Sequence, residues 1–230
     1  MGIRKDIART AAAAAMVLSA SGALAGTVEW AGWTSTSGGN TVNGVLDFGG
    51  TLVDVTYSGV AFEFVQANGN GTNYWSPTAP YISGSVDNAP PTPDIIALTQ
   101  AGTSTITFSQ AVVNPLIALV SWNGASVTFG GGADQQTYDA QYLSSGCGFW
   151  GCGGFANATS NHFDGAGELH GVVQLLGTYT SISFTDTTFE GWHGLTVGVA
   201  GGVAPVPLPA GAWLLGAALA ALSSRRRRKI

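Results

Sequence analysis

The long middle part of this chain, from position 26 to position 224, contains no lysine and no arginine. The eight basic residues lie near the two ends, three before Thr10 and five after Ser224, and twelve of the thirteen acidic residues lie between them. Proteins bind nucleic-acid phosphates mainly through lysine and arginine, so this composition argues against nucleic acid as a partner. It predicts an anionic domain without Lys or Arg ion pairs.

Long apolar runs are also missing. The strongest run, residues 211–222, has 12 residues, whereas a comfortable transmembrane helix needs roughly 20. It is followed by a basic cluster, which consists of Arg225, Arg226, Arg227, Arg228 and Lys229. Such a cluster resists transfer across a bilayer and stays on the cytoplasmic side. The pattern predicts a short C-terminal transmembrane helix with a basic stop-transfer sequence.

The N-terminal residues have the pattern of a secretory signal peptide. Three basic residues precede an apolar segment at 11–18, and Ala23 and Ala25 form an A-x-A cleavage site. Signal peptidase is therefore expected to remove residues 1–25. We expect residues 26–200 to form one exported domain and residues 201–209 to be a Gly/Pro-rich linker.

A pentapeptide, VPLPA, precedes the C-terminal apolar segment; its residues are Val206, Pro207, Leu208, Pro209 and Ala210. With the short apolar helix and the basic cluster, it resembles the PEP-CTERM group of bacterial sorting signals, in its VPLPA-CTERM variant, over residues 206–230. The resemblance implies recognition by an exosortase- or archaeosortase-like membrane transpeptidase. It also implies release or attachment at the outer surface, often alongside exopolysaccharide production. The alternative is a single-pass anchor that is never cut.

Cysteine is scarce: Cys147 and Cys152 are the only two, and they enclose a Gly-Phe-Trp-Gly tetrapeptide. In an exported chain this spacing predicts a local disulfide bond. Two thiols without a nearby second pair of ligands do not indicate a metal site. Phe149 and Trp150 would lie at the tip of the closed loop, where they either bind a ligand such as a sugar ring or fold back as a lid on the core.

Outside the termini no segment has the periodicity of a long amphipathic helix. Apolar residues alternate instead, as at Val53, Val55 and Tyr57, which is typical of half-buried strands. The pattern predicts an all-β fold, an antiparallel β-sandwich of jelly-roll or immunoglobulin-like type. Asn123-Gly124 predicts a type I′ hairpin. The proline-rich residues 89–94 predict a long loop that crosses between the sheets, with a domain boundary as the alternative.

No catalytic motif stands out in the sequence. Glu168 and His170 would share one face of a strand and could act in acid/base chemistry, while His162 and His193 are isolated candidates. Surface solvation or packing explains these residues better than an active site does, so we predict no catalytic residues and no resident metal or cofactor. Calcium is left open, because Asp134 and Asp139 lie in a Gly-rich loop that could supply oxygen ligands.

Two functions are consistent with these observations. The first, which we favour, is a non-enzymatic cell-surface or extracellular-matrix protein with a structural, adhesive or carbohydrate-binding role. It would pass through a membrane-anchored precursor, and its partners would be signal peptidase, an exosortase-like protease and an exopolysaccharide. The alternative is a secreted polysaccharide hydrolase with the same anchor. A concave site with two buried carboxylates of shifted pKa would favour the enzyme, and exposed aromatic side chains would favour binding.

Overall fold

Alternating apolar residues form strands over most of the chain that the computed structural model describes, residues 27–130 and 136–200. The predicted signal peptide, linker and sorting signal lie outside the described residues, as does Asp134. In chain order the strands are β1 (Val28–Trp30), β2 (Gly32–Ser37), β3 (Thr41–Phe48), β4 (Thr51–Ser58), β5 (Phe62–Gln66), β6 (Ile95–Leu98), β7 (Gly102–Val113), β8 (Pro115–Val120), β9 (Ser126–Phe129), β10 (Ala140–Gly146), β11 (Gly153–Thr159), β12 (His162–Gly167), β13 (His170–Leu175), β14 (Thr178–Asp186) and β15 (His193–Ala200).

The strands form two sheets, and their pairings are antiparallel. Sheet I has the order β10-β13-β8-β15-β6-β5, and β1 pairs with the end of β15. Sheet II has the order β11-β12-β9-β14-β7-β4-β3-β2. The all-β class and the antiparallel sheets are confirmed, and the arrangement is consistent with a β-sandwich. Within 27–130 and 136–200 no helix is long and apolar enough to span a bilayer.

The main core combines alternate residues of both sheets. On β8, for example, Ile117 and Leu119 belong to this core. The residues that alternate with them, Leu116 and Ala118, belong to a second apolar cluster on the opposite face of sheet I. Sheet I is therefore covered on both faces, which explains why its central strands are buried at nearly every position.

The second cluster is completed by the long connection between β5 and β6, which supplies the buried side chains of Trp75, Tyr81 and Val86. The prediction that the proline-rich residues 89–94 cross between sheets is wrong. This connection joins β5 to β6, which are paired neighbours in sheet I, so it begins and ends in the same sheet. Burial of its aromatic side chains holds it against the sheet.

The predicted type I′ hairpin at Asn123-Gly124 is also wrong. A turn does occur there, but β8 lies in sheet I and β9 lies in sheet II. Only Gly124 of the two has a positive φ, 66°, whereas a type I′ turn needs positive φ at both central residues. The turn therefore carries the chain from one sheet to the other.

Trp33 on β2 joins the two sheets across the core. Its side chain is fully buried, and its Nε1–H donates a hydrogen bond to Thr196 Oγ1 on β15, 3.2 Å away. Its backbone N–H donates to Asp94 Oδ2 at 3.0 Å, just before β6. Trp33 thus fixes one edge of sheet II against sheet I.

Replacing Trp33 with alanine should lower the free energy of unfolding by about 3–5 kcal/mol, because it leaves a cavity and an unpaired threonine hydroxyl. Urea unfolding followed by circular dichroism measures this change. The control is Leu52→Ala, since Leu52 is 55% exposed and its truncation should change the free energy by less than about 0.5 kcal/mol. Equal midpoints for the two variants would contradict the inter-sheet role of Trp33.

Candidate functional site

One open cleft of about 320 Å³ is lined by four connections, each of which joins a strand of one sheet to a strand of the other. The connection after β8 supplies Ser121 and Asn123, and the one after β12 supplies Glu168. The disulfide loop after β10 supplies Trp150, and the connection after β14 supplies Glu190, Gly191 and Trp192. The cleft therefore combines two indole rings with two carboxylates, an amide and a hydroxyl.

The disulfide bond between Cys147 and Cys152 is confirmed. It closes the loop between β10, at the edge of sheet I, and β11, at the edge of sheet II. In the chain-entropy model, closing so short a loop contributes about 2 kcal/mol. The bond also limits the positions that the aromatic tip at Phe149 and Trp150 can adopt.

The tip belongs to an aromatic cluster, whose members are Phe64, Tyr74, Phe149, Trp150 and Trp192. Trp150 stacks on Tyr74 with ring centroids 5.2 Å apart, and it makes an edge-to-face contact with Trp192 with ring centroids 4.7 Å apart. Phe149 contacts Tyr74 at 5.1 Å. Phe149 and Trp150 nevertheless remain 42% and 46% exposed. One side of the tip packs on the other rings of the cluster, and the other side is open to solvent. The tip therefore has features of both predictions: it packs on the protein as a lid would, and it leaves ring surface exposed for a ligand.

Glu168 is held by two neutral donors from the connection after β8. The Ser121 hydroxyl donates to Oε2 at 2.5 Å, and the Asn123 side-chain amide donates to Oε1 at 2.9 Å. Ser121 has a φ of +57°, a left-handed conformation that costs a non-glycine residue about 1–3 kcal/mol. The hydrogen bond to Glu168 helps to hold Ser121 in this conformation.

Glu190 approaches the same Asn123 from the other side. Its Oε1 accepts a long hydrogen bond from the Asn123 backbone N–H, at 3.4 Å. Burial raises the pKa of Glu190, and the nearby charge of Glu168 raises it further, while His193 opposes the rise. Asn123 therefore lies between two carboxylates, one of which is desolvated.

His193 lies beneath the cleft between two buried carboxylates. Its Nδ1 is 3.3 Å from Glu190 Oε2, and its Nε2 is 3.7 Å from Asp186 Oδ2. The Nδ1 contact is not aligned as a hydrogen bond. Trp122 covers the imidazole, with ring centroids 4.2 Å apart, and burial raises the pKa of Asp186. His193 is not in the lining of the cleft and reaches it only through Glu190.

His170 lies below the disulfide loop and not in the cleft. β12 ends at Gly167 and β13 begins at His170, so the expectation that Glu168 and His170 share a strand face is wrong. The imidazole is buried, its Nδ1 is 3.0 Å from the Tyr81 hydroxyl, and burial lowers its pKa, with Glu168 opposing. Gly148 lies so close that a Cβ there would be 2.2 Å from the His170 ring, which requires glycine.

The remaining sequence candidates do not line the cleft. On β12, His162 Nε2 lies 3.2 Å from Asp164 Oδ1. A hydrogen bond from Asn157 is the largest cause that lowers the pKa of Asp164. Asp139, the described member of the possible calcium pair, accepts a hydrogen bond from Gln141 at 3.2 Å. Across 27–130 and 136–200 no group of three ligating side chains is placed to hold a metal ion.

The sequence had singled out only Glu168 and Trp150 among the side chains of the cleft. Ser121, Glu190 and Trp192 were missed as site residues, and Asn123 was considered only as a turn residue. Their shared position, just outside strands that belong to different sheets, could have indicated them only once the sheet order was known. Comparisons with protein-family models, curated proteins and solved structures found no match for this chain.

The buried, neutral His170 makes a testable contribution to the pH dependence of stability. The unfolded chain takes up a proton on this histidine below about pH 6.5, whereas the folded chain resists it, so folded stability falls as the pH drops. His170→Gln removes this term. The stability deficit of the variant should therefore be smaller at about pH 5 than at about pH 7.5.

Urea unfolding of both proteins at the two pH values measures this difference. The buried carboxylates are common to both proteins, so their opposite contributions cancel in the comparison. A deficit that stays constant with pH would show that His170 is protonated equally in the folded and unfolded chains.

Proposed function

We propose that this chain is an exported bacterial cell-surface or extracellular-matrix protein that binds polysaccharide without transforming it. The observation that carries the proposal is the cleft, which places Trp150 and Trp192 beside Glu168, Glu190 and Asn123. Aromatic faces pack on the apolar faces of sugar rings, and carboxylate and amide groups pair with hydroxyls. A supported, half-exposed indole suits this role because little entropy is lost when the ligand binds.

The proposed ectodomain spans residues 26–200 and is a β-sandwich of jelly-roll or immunoglobulin-like type. A signal peptide at 1–25 and a C-terminal sorting helix at 211–222 flank it. The disulfide bond and the lack of basic residues in the ectodomain fit an extracellular setting. We propose no resident cofactor, with calcium left open, and no nucleic-acid partner.

The C-terminal residues support a route to the surface. The VPLPA pentapeptide, the apolar segment and the basic cluster resemble a sorting signal, so the proposed partners are signal peptidase and an exosortase-like transpeptidase. The precursor would be held in the membrane by its tail and then released or attached at the surface, next to exopolysaccharide.

A second candidate function is a secreted polysaccharide hydrolase. It is favoured by Glu190, a carboxyl group whose pKa is raised by burial and which lies in one cleft with Glu168. A group of this kind can donate a proton to a glycosidic oxygen, and a second carboxylate is the usual companion. The two functions predict different fates for a bound polysaccharide.

The route to the surface is tested by the mass of the mature protein from its native bacterium. We expect the wild-type protein to lack residues 1–25 and the C-terminal tail. A Pro207→Ala, Pro209→Ala double variant should lose only the signal peptide, because the sorting motif is altered. A wild-type protein that still ends at Ile230 would reduce the tail to a plain membrane anchor.

The binding function is tested with the matrix polysaccharide of the native bacterium and the full-length chain. Trp150→Ala should weaken binding by about tenfold, because the ring that stacks on the sugar is lost. Leu52→Ala, which removes an exposed apolar side chain from sheet II, is the matched control and should bind as wild type. Equal affinity of both variants would place binding elsewhere, and new reducing ends would favour the hydrolase.

A further inference from the structure

The cleft has a charge that restricts which sugars it can hold. Its lining contains Glu168 and Glu190 but no cationic side chain, and the exported region from 26 to 224 has no lysine or arginine. Uronic acids and sulfated sugars would bring a negative charge next to two carboxylates, which is unfavourable at short range. The choice therefore lies between neutral and cationic sugars.

The environment of Glu190 favours a cationic sugar over a neutral one. Its side chain is 8% exposed; Oε2 is buried beside His193 Nδ1, 3.3 Å away, and Oε1 accepts a long hydrogen bond from the Asn123 backbone N–H, at 3.4 Å. A buried carboxylate without full pairing is costly, and a neutral hydroxyl satisfies it only in part. An ammonium group supplies charge and hydrogen-bond donors together.

Glu168 adds to this preference. The Ser121 hydroxyl and the Asn123 amide hold its carboxylate in place, but both partners are neutral, so its charge is not cancelled. Repulsion between the two acids also raises the pKa of Glu190, although burial raises it more. One cation between them would relieve this repulsion and pair with both.

The aromatic rings complete the arrangement. Trp150 and Trp192 meet at 4.7 Å and both line the cleft, and Trp150 also stacks on Tyr74. Indole faces attract ammonium groups as well as the apolar faces of pyranose rings. A sugar ring that carries an amine uses both properties of the same surface.

We propose that the cleft binds a glucosamine-type amino sugar of a de-N-acetylated polysaccharide, with the ammonium group between Glu168 and Glu190 and the pyranose ring against Trp150 and Trp192. The inference rests on the proposed polysaccharide-binding function and names its ligand class. A lysine-rich peptide would offer the same charge without the ring, so it serves as a comparison.

The test measures binding of the full-length chain to three β-1,4-linked hexamers that differ only at C2: glucose, N-acetylglucosamine and glucosamine. Just below neutral pH the glucosamine hexamer should bind at least about tenfold more tightly than the other two, because only it brings charge-assisted hydrogen bonds. Added salt should reduce this preference. A lysine hexamer should bind more weakly than the glucosamine hexamer.

Glu168→Gln and Glu190→Gln should each remove most of the preference for glucosamine, measured as the ratio of the affinities for the glucosamine and glucose hexamers. Asp54→Asn, which removes an exposed acid from sheet II, is the charge-matched control and should keep the preference. Circular dichroism checks the fold of each variant. If Glu190→Gln does not fold because of its contact with His193, Glu168→Gln, which leaves that contact in place, still decides.

The outcomes separate this inference from the proposed function. Equal binding of all three hexamers, or binding of the matrix polysaccharide but of no hexamer, would overturn the amino-sugar inference and leave polysaccharide binding in place. Equal binding of the lysine hexamer would overturn it in favour of simple charge attraction. Failure to bind the matrix polysaccharide and every hexamer would overturn both.

Discussion

The fold has to hold buried carboxylates in a domain without lysine or arginine, and this constraint shapes its connections. Asp94 accepts hydrogen bonds from the backbone N–H groups of Trp33 and Gly69, at 3.0 and 2.7 Å. Asp186 accepts from those of Ser126 and Thr188, at 3.2 and 2.9 Å. Backbone donors are short and directional, so each acid fixes the path of the chain around it. Burial raises the pKa of both acids, which indicates that these donors only partly offset desolvation.

The same constraint explains why the polar site lies at the connections between the sheets. Strand positions that face the core are apolar, so the buried acids lie at or near strand ends: Asp94 just before β6, Asp186 at the end of β14 and Glu190 in the connection that follows it. Glu168 ties the connection after β12 to the one after β8 through Ser121 and Asn123. His193 and Glu190 extend this arrangement to the connection after β14. Segments far apart in the sequence are thereby held around one cleft.

Sequence reasoning predicted the parts of the structure that depend on local pattern. Alternation placed Val53, Val55 and Tyr57 on a strand, and all three are buried in the core. The cysteine spacing predicted the disulfide bond. Turn chemistry located a turn at Asn123-Gly124 but could not tell which sheet the next strand joins, since pairing partners are set by long-range packing. The lining of the cleft could not be predicted from the sequence for the same reason. Glu190 is 22 positions from Glu168, and the two residues line one cleft only because the connections after β12 and after β14 both run between the two sheets.

The geometry of the two acids bears on whether the cleft binds or transforms its ligand. A hydrolase needs one carboxyl group that donates a proton and a second that is free to act as base or nucleophile. Glu190, with its raised pKa, meets the first requirement. Glu168 meets the second poorly, because both of its oxygens already accept hydrogen bonds from Ser121 and Asn123, which hold the carboxylate in place and limit its approach to a sugar carbon or a water molecule. A carboxylate held in this way is well suited to be a permanent acceptor and a fixed negative charge. The balance of the two residues therefore favours recognition over hydrolysis, and it favours a ligand that brings a positive charge.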